Sequence, residues 1–151
     1  MMLSICQFSE NLETHILIPK IKNLIMIISV GCDVMEHQTI KDLDWETDKD
    51  VRERIFSMSE LGIYDQVKEL RFLAGRFAVK EAIVKCLQCG MIDGISLTDI
   101  QTLQATNGQP LLQLTGEAKN VADRMNINNW HISITHSSNY TIAFVVAENR
   151  T

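Results

Sequence analysis

The sequence predicts an α+β fold in which an antiparallel sheet packs around one long central helix. The helix is predicted over residues 69–87, where apolar side chains recur at helical spacing: Leu70, Leu73, Phe77 and Val84. Part of the sheet is predicted near the C-terminal end, where Trp130, Ile132 and Ile134 alternate with polar residues and an apolar return strand runs from Tyr140 to Ala147. One long helix beside strand hairpins is typical of an α+β domain.

The N-terminal half is predicted to add a strand and two short helices. Met26 opens a strand pattern that we expect to end at Gly31. The two helices are expected over residues 51–56 and 61–67, with Ser59 as the cap of the second. We assign residues 26–151 to one domain and residues 1–25 to an N-terminal extension.

A hairpin and a second helix are predicted between the central helix and the C-terminal strands. We expect the central helix to stop at Gly90. Strands are predicted over residues 95–105 and 111–114, joined by a hairpin turn at Asn107 and Gly108. A helix is predicted over residues 116–125.

Composition argues against several classes of function. The net charge of −5 is not that of a general nucleic-acid binder, which usually carries a basic excess. The most apolar stretch, residues 16–34, contains Lys20, Lys22 and Asp33, so it lacks the roughly 20 uncharged residues of a membrane span. Four cysteines in a chain that is 46% hydrophobic do not indicate a disulfide framework. We therefore expect a cytoplasmic protein that binds neither nucleic acid nor membrane.

Two carboxylates stand at positions where a charge needs a partner. A helical wheel places Glu81 on the apolar stripe of the central helix, and Asp33 follows the first predicted strand. Glu81 could simply pair with Lys85 one turn later, and Asp33 could be an ordinary residue at a strand end. If the two carboxylates instead converge near Arg76 and Lys80, they would suit Mg²⁺ and a phosphorylated substrate.

A pair of cysteines, Cys86 and Cys89, permits a competing zinc or redox interpretation. Structural zinc usually needs a second ligand pair, and a redox pair normally opens a helix, where the dipole lowers the thiol pKa. This pair closes a helix instead. His131 and His136 are five residues apart on a predicted strand, so they point to opposite faces and do not form a metal site together.

Several motifs together resemble the holo-acyl-carrier-protein synthases, a family of phosphopantetheinyl transferases. The matching segments follow the family's order: GCDVME at 31–36, RIFSMSEL at 54–61, FLAGRFAVKEA at 72–82, NGQP at 107–110, GEA at 116–118 and HISITHS at 131–137. The resemblance covers roughly residues 26 to 148, and the motif in the central helix is long and specific.

The resemblance implies a trimer with each active site at a subunit interface. It implies that Asp33 and Glu81 bind Mg²⁺, with Glu81 and Lys85 catalytic. It further implies that coenzyme A is contacted by residues of the central helix and the closing hairpin: Arg76, Lys80, Lys85, Gly90, His136 and Ser137.

The implied reaction is the transfer of 4'-phosphopantetheine from coenzyme A to a serine of an acyl carrier protein. The serine hydroxyl attacks the phosphate on the pantetheine side, and adenosine 3',5'-bisphosphate leaves. Positioning and charge neutralisation carry most of such catalysis. Either Glu81 or a metal-bound water could serve as the general base.

Two departures from the family pattern leave room for an alternative function. A glycine-rich turn after the central helix is Gln88-Cys89-Gly90 here, and an arginine expected to face the acidic carrier is Thr39, followed by an acidic segment. Like charge would weaken the docking of an acidic carrier, so we expect a dedicated or unusual carrier. The alternative is a module that binds coenzyme A or a carrier protein without turnover.

Overall fold

A computed structural model describes residues 24–88 and 94–150 and confirms the α+β class. Within these residues the chain forms five strands, five α-helices and a short 3₁₀ turn at Leu97–Asp99. In chain order the elements are β1 (Ile25–Glu36), α1 (His37–Asp42), α2 (Lys49–Ile55), α3 (Met58–Val67), α4 (Leu70–Cys86), β2 (Ile100–Gln104), β3 (Pro110–Leu114), α5 (Gly116–Arg124), β4 (Asn129–His136) and β5 (Tyr140–Arg150).

The strands form two antiparallel sheets. The larger has the order β1-β5-β4, so the C-terminal strand lies in the middle and β1 and β4 are its edges. The predicted hairpin turn at Asn107 and Gly108 joins β2 to β3 in a separate two-stranded sheet, with Gly108 at a φ of 85°. Helix α4 packs across one face of the three-stranded sheet and supplies much of the core.

Strand β1 continues to Glu36, five residues beyond its predicted end at Gly31. Glycine is present because α4 crosses the strand at very close range: a Cβ atom at Gly31 would overlap the carbonyl oxygen of Ala82. Gly31 therefore marks a close approach between helix and sheet rather than the end of the strand. The continuation puts Asp33 inside the strand, opposite Ala143 of β5.

Other differences from the predictions have local causes. Ser57, not Ser59, caps α3, in a capping box with Glu60. Strand β2 begins at Ile100 rather than Ile95 because Ser96 caps the 3₁₀ turn that precedes it. Helix α1 was not predicted. Gly90, Cys89 and most of the N-terminal extension lie outside the described residues. No helix of the described part is long and apolar enough to cross a membrane.

The buried face of α4 differs from the one predicted by the helical wheel. Lys80 is fully buried at 0% exposure, whereas Glu81 is only partly buried. The sheet-facing side is formed by small residues, which allow the helix to approach closely: Gly75, Ala78 and Ala82. The predicted apolar stripe gave Glu81 too central a position because the larger residues Leu70, Phe77 and Val84 lie at the border of the core.

A buried ion pair joins α4 to α3 and β2. The Lys80 ammonium donates to Glu60 Oε2 at 2.7 Å and also to the carbonyl oxygens of Leu97 and Ile100. Glu60 in turn accepts hydrogen bonds from the backbone N–H groups of Ser57 and Thr102, each at 2.9 Å. Both charges are thus paired and their remaining hydrogen-bonding capacity is used, which is the condition for tolerating them in a core.

Replacing Lys80 by methionine should strongly destabilise the fold. The substitution leaves the Glu60 carboxylate buried without its partner, which typically costs about 3–5 kcal/mol. Unfolding in urea measures the loss. The matched control is Lys49→Met, because Lys49 pairs with Glu53 at the exposed surface and should change stability little. Equal stability of the two variants would contradict the structural role of Lys80.

Candidate active site

The first cluster of predicted site residues lies at the β1 edge of the larger sheet. Lys85, in the last turn of α4, reaches across to β1 and donates to Asp33 Oδ1 and to the Cys32 carbonyl oxygen, both at 2.8 Å. The Lys85 side chain is 51% exposed and that of Asp33 is 17% exposed. Both groups are therefore held in place while the ammonium stays open to solvent.

Glu81 lies one helical turn before Lys85 and close enough to Asp33 for the two carboxylates to repel. Burial raises the pKa of Glu81, the negative charge of Asp33 raises it further, and Lys85 opposes both. The hydrogen bond with Asp33 is the largest contribution that raises the pKa of Lys85. The ion pair that Lys85 forms is with Asp33, not the simple intrahelical pair with Glu81.

These carboxylates are suitable ligands for a cation but do not form a complete metal site. In the part of the chain that the structure describes, no group of three or more histidine, cysteine, aspartate or glutamate side chains could hold a metal ion. A cation between Asp33 and Glu81 would relieve their repulsion and would take its other ligands from water or a substrate. Mg²⁺ characteristically binds in this way, with few carboxylates, several waters and phosphate oxygens.

Lys80 does not belong to this cluster. Its ammonium is buried and occupied by Glu60 and two carbonyl oxygens, and burial lowers its pKa while Glu60 opposes that shift. The sequence-based expectation that Lys80 contacts a phosphate does not fit this position, since such a contact would require the core to open. Lys80 stabilises the fold instead.

Arg76 lies on a different flank of α4 from Glu81. Its Nε donates to the Thr102 carbonyl oxygen at 3.2 Å, and its guanidinium carbon lies 4.0 Å from the centre of the Phe72 ring. Burial lowers the pKa of Arg76, opposed by Glu60. The side chain lines a cavity of about 390 Å³ together with Gly108, Pro110 and His136. A guanidinium held in this way presents its free N–H donors to an anion.

His136 and Ser137 lie where β4 turns into β5. Burial lowers the pKa of His136, and the positive charge of Arg71 lowers it further. His136 also lines a larger, polar cavity of about 980 Å³ that includes Arg71. The Ser137 hydroxyl accepts hydrogen bonds from the N–H groups of Asn139 and Tyr140, so it stabilises the turn.

Within one chain, the two groups of predicted residues remain apart. Asp33 lies on β1 and His136 on β4, which are opposite edges of the larger sheet with β5 between them. Arg76 shares a cavity with His136 but not with the carboxylates. No hydrogen bond or ion pair between described side chains joins the two groups.

The cysteine interpretation has no support in the described residues. Cys86 is fully buried against the sheet, and burial raises its pKa to about 11. A thiol with such a pKa is almost entirely protonated at neutral pH, so it is neither a good nucleophile nor a ready metal ligand. Its predicted partner, Cys89, lies outside the described residues.

Sequence reasoning missed three residues that support the site. Glu60 organises Lys80 and Thr102, and its place three residues after Ser57 was a readable capping-box signal. His37 and Thr141 hydrogen-bond to each other, and Thr141 also bonds to His136. Residues 37 and 141 are 104 positions apart, so no local pattern could have revealed that contact.

Comparisons with known proteins identify the family of the chain. The family model described as the 4'-phosphopantetheinyl transferase superfamily matches residues 29–145. The chain is 38% identical over 126 residues to a holo-[acyl-carrier-protein] synthase from Hydrogenovibrio crunogenus, covering 83% of this chain and 99% of that protein. A synthase of the same name from Vibrio cholerae is 35% identical, with coverage of 83% and 100%.

Solved structures of the same kind share the fold. The synthase from Neisseria meningitidis superposes with a TM-score of 0.75 at 26% identity, covering 82% of this chain and 100% of that one. A synthase from Bacillus anthracis in complex with CoA (3',5'-ADP) gives a TM-score of 0.68 at 30% identity, with coverage of 82% and 98%. The chain therefore belongs to the holo-[acyl-carrier-protein] synthases of the 4'-phosphopantetheinyl transferase superfamily.

Proposed function

We propose that this protein transfers 4'-phosphopantetheine from coenzyme A to a serine hydroxyl of a carrier protein in a reaction that requires Mg²⁺. The observation that carries the proposal is the convergence of Asp33, Glu81 and Lys85 at the β1 edge. The family membership and the coenzyme A complex of the B. anthracis relative support the substrate. The serine oxygen forms a bond to the pantetheine-side phosphorus, and adenosine 3',5'-bisphosphate leaves with the bridging oxygen.

Asp33 and Glu81 are the residues that would hold Mg²⁺. Their mutual repulsion and the partial burial of Glu81 make an added cation favourable at this point. Bound there, the ion would neutralise charge on the pyrophosphate of coenzyme A. Cys86 does not compete for the metal, since its thiol is buried and protonated.

Lys85 is the cation of this chain that acts on the phosphates. Asp33 and the Cys32 carbonyl oxygen fix its ammonium at 2.8 Å each, yet half of the side chain remains exposed. A preorganised positive charge at this position offsets the charge that develops on the leaving phosphate. Arg76 and His136, which share the smaller cavity, are the proposed contacts for the nucleotide part of coenzyme A.

We further propose that the active protein is a homotrimer. The face of β1 and β5 that points away from α4 is apolar and exposed, with exposed fractions of 41–58%: Val30, Val34, Ile142 and Phe144. Covering this face would bury apolar surface that water now contacts. Neighbouring chains would also bring the Asp33 cluster of one protomer to the His136 edge of the next, which one chain alone does not do.

The carrier is proposed to be a dedicated one rather than the general fatty-acid carrier. Thr39 lies on α1 close to the Asp33 end of β1, and the segment that follows is mostly acidic and exposed: Asp42, Asp44, Glu46, Asp48 and Asp50. An acidic carrier would meet like charge at this surface. The two cysteines within the described residues, Cys32 and Cys86, are free, which supports a location in the reducing cytoplasm.

Replacing either magnesium-binding carboxylate should abolish transfer. We expect Asp33→Asn and Glu81→Gln each to lower kcat/KM by about 100-fold or more, because each removes a charge that holds the ion. The assay is the mass gain of apo carriers incubated with coenzyme A and Mg²⁺. Asp123→Asn, on the exposed face of α5, is the control and should retain full activity.

The outcomes of this assay separate the two functions considered for the chain. Full activity of Asp33→Asn and Glu81→Gln would contradict the proposed site. Binding of coenzyme A by the wild-type protein, without transfer to any carrier, would instead support a binding module.

The trimer should be broken by a charge on the apolar sheet face. Phe144→Glu is expected to yield monomers in sedimentation equilibrium and to lose transfer, because a carboxylate would be buried at the interface. Val67→Glu, at an exposed position at the end of α3, is the control and should change neither the oligomeric state nor the transfer. Mixing inactive Asp33→Asn and Arg76→Ala proteins should restore activity if the site is shared. A fully active monomer would contradict the shared site.

Carrier preference should follow charge on α1. We expect Thr39→Arg to raise kcat/KM for an acidic fatty-acid carrier about 3- to 10-fold, as one added opposite charge at a partly desolvated rim would. Thr39→Gln, which is similar in length but neutral, is the matched control. Equal wild-type turnover of an acidic fatty-acid carrier and a less acidic carrier would contradict the proposed specificity.

A further inference from the structure

A threonine hydroxyl connects two histidines beneath the β4–β5 turn. Thr141 Oγ1 lies 2.9 Å from His37 Nε2 and 2.7 Å from His136 Nδ1. Thr141 is fully buried and His37 is 7% exposed, whereas His136 stands at the rim of both cavities. The three side chains therefore form a continuous hydrogen-bonded row from the core to the proposed nucleotide site.

The direction of each hydrogen bond follows from the acceptor at the inner end. His37 Nδ1 lies 3.2 Å from the Ser138 carbonyl oxygen, which can only accept, so Nδ1 must carry the hydrogen. In a neutral His37 ring, Nε2 then has a lone pair and accepts from the Thr141 hydroxyl. Thr141 Oγ1 has donated its only hydrogen, so it accepts from His136 Nδ1–H.

The opposite direction is much less favourable. If Thr141 donated to His136, both nitrogens of His37 would have to carry hydrogens and the ring would be a cation. Among the described residues, no carboxylate oxygen bonds to the His37 ring, whose two partners are the Ser138 carbonyl and the Thr141 hydroxyl. An unpaired charge on so deeply buried a side chain is costly. The neutral arrangement is therefore the one that the surroundings stabilise.

We propose that His37, acting through Thr141, is a positioning residue that holds His136 in the Nδ1–H tautomer, so that Nε2 offers a lone pair to bound coenzyme A. The group it recognises is then a hydrogen-bond donor, a ribose hydroxyl or the adenine amino group, rather than a phosphate. This inference rests on the proposed function. Arg76, in the same cavity, supplies only donors and so provides the complementary contact to anionic groups.

The packing of the His136 ring agrees with this role. The ring lies over Gly75 of α4, where a Cβ atom would be 3.4 Å from its Cε1 and 4.0 Å from its Nε2. With hydrogen instead of a side chain at Gly75, Nε2 is not covered from the helix side. The ring is thus fixed at Nδ1 by Thr141 and free at Nε2.

The charges around His136 keep the ring neutral at neutral pH. Arg71 and Arg76 of α4 face it together with the neutral His37 ring, and Glu69 before α4 opposes the arginines. Burial and the two arginines lower the pKa of His136. Glu36, Lys41 and Glu46 line the same larger cavity. As pH falls through the pKa of His136, Nε2 gains a proton and loses its lone pair. Coenzyme A binding through this acceptor should then weaken, whereas a contact of imidazolium with phosphate would strengthen.

The test compares Thr141→Val, which removes the hydroxyl, with Thr141→Ser, which keeps it. Nitrogen-15 NMR of His136 in the free protein should show the Nδ1–H tautomer in wild type and Thr141→Ser. The same tautomer should be lost in Thr141→Val and in His37→Phe. Finding Nε2–H as the main tautomer of the wild-type protein, or no difference between the two Thr141 variants, would overturn the proposal.

Kinetics test the consequence for substrate binding. Thr141→Val and His37→Phe should raise KM for coenzyme A about 2- to 10-fold, which is the effect of losing one neutral hydrogen bond. Neither variant should change kcat. Thr141→Ser should keep both constants near the wild-type values. The wild-type KM should rise as pH falls, and a KM that falls instead would overturn the acceptor role. A wild-type protein that neither transfers nor binds coenzyme A would overturn the proposed function, while NMR would still report on the tautomer.

Discussion

The contact of α4 with β1 at Gly31 determines the geometry of the carboxylate cluster at the β1 edge. Because a Cβ at Gly31 would overlap the Ala82 carbonyl oxygen, only glycine lets the helix lie this close to the strand. Asp33 follows two residues later on β1, and Glu81 precedes Ala82 on α4. The close approach therefore fixes the spacing of these carboxylates through rigid backbone. Lys85, one turn further along the helix, can reach Asp33 for the same reason.

A second constraint, the buried pair of Lys80 and Glu60, fixes the other flank of the same helix. Glu60 accepts from the Thr102 N–H, and the Thr102 carbonyl oxygen accepts from Arg76 Nε. The ion pair thus holds the strand that orients Arg76. Opposite flanks of α4 present two different chemistries: carboxylates and an ammonium toward β1, and a guanidinium toward β2. Because α4 is fixed at both contacts, the side chains on its two flanks keep a constant position relative to each other.

Most of the elements and part of the candidate site could be predicted because they depend on local patterns. Alternation and helical spacing gave β4, β5 and α4, and the motif around Asp33 and Glu81 pointed to the carboxylates. The wheel placed Glu81 too centrally because it follows large apolar side chains, while small residues such as Ala78 mark the real contact face. The row from His37 to His136 depends on the return of β5 beside β1, and no property of either sequence segment encodes that contact.

The chain as a whole is acidic, whereas the candidate site carries positively charged side chains. These local charges are what would allow an acidic protein to bind a highly anionic substrate. The net charge of −5 opposes long-range attraction of coenzyme A. Lys80 contributes nothing outside the core, since Glu60 neutralises it. In the proposed function recognition falls on Lys85 and Arg76, which lie on different flanks of α4. In the proposed trimer a second chain would bring the Arg76 flank of one protomer to the Lys85 flank of the next, and the apolar sheet face would form the contact between them.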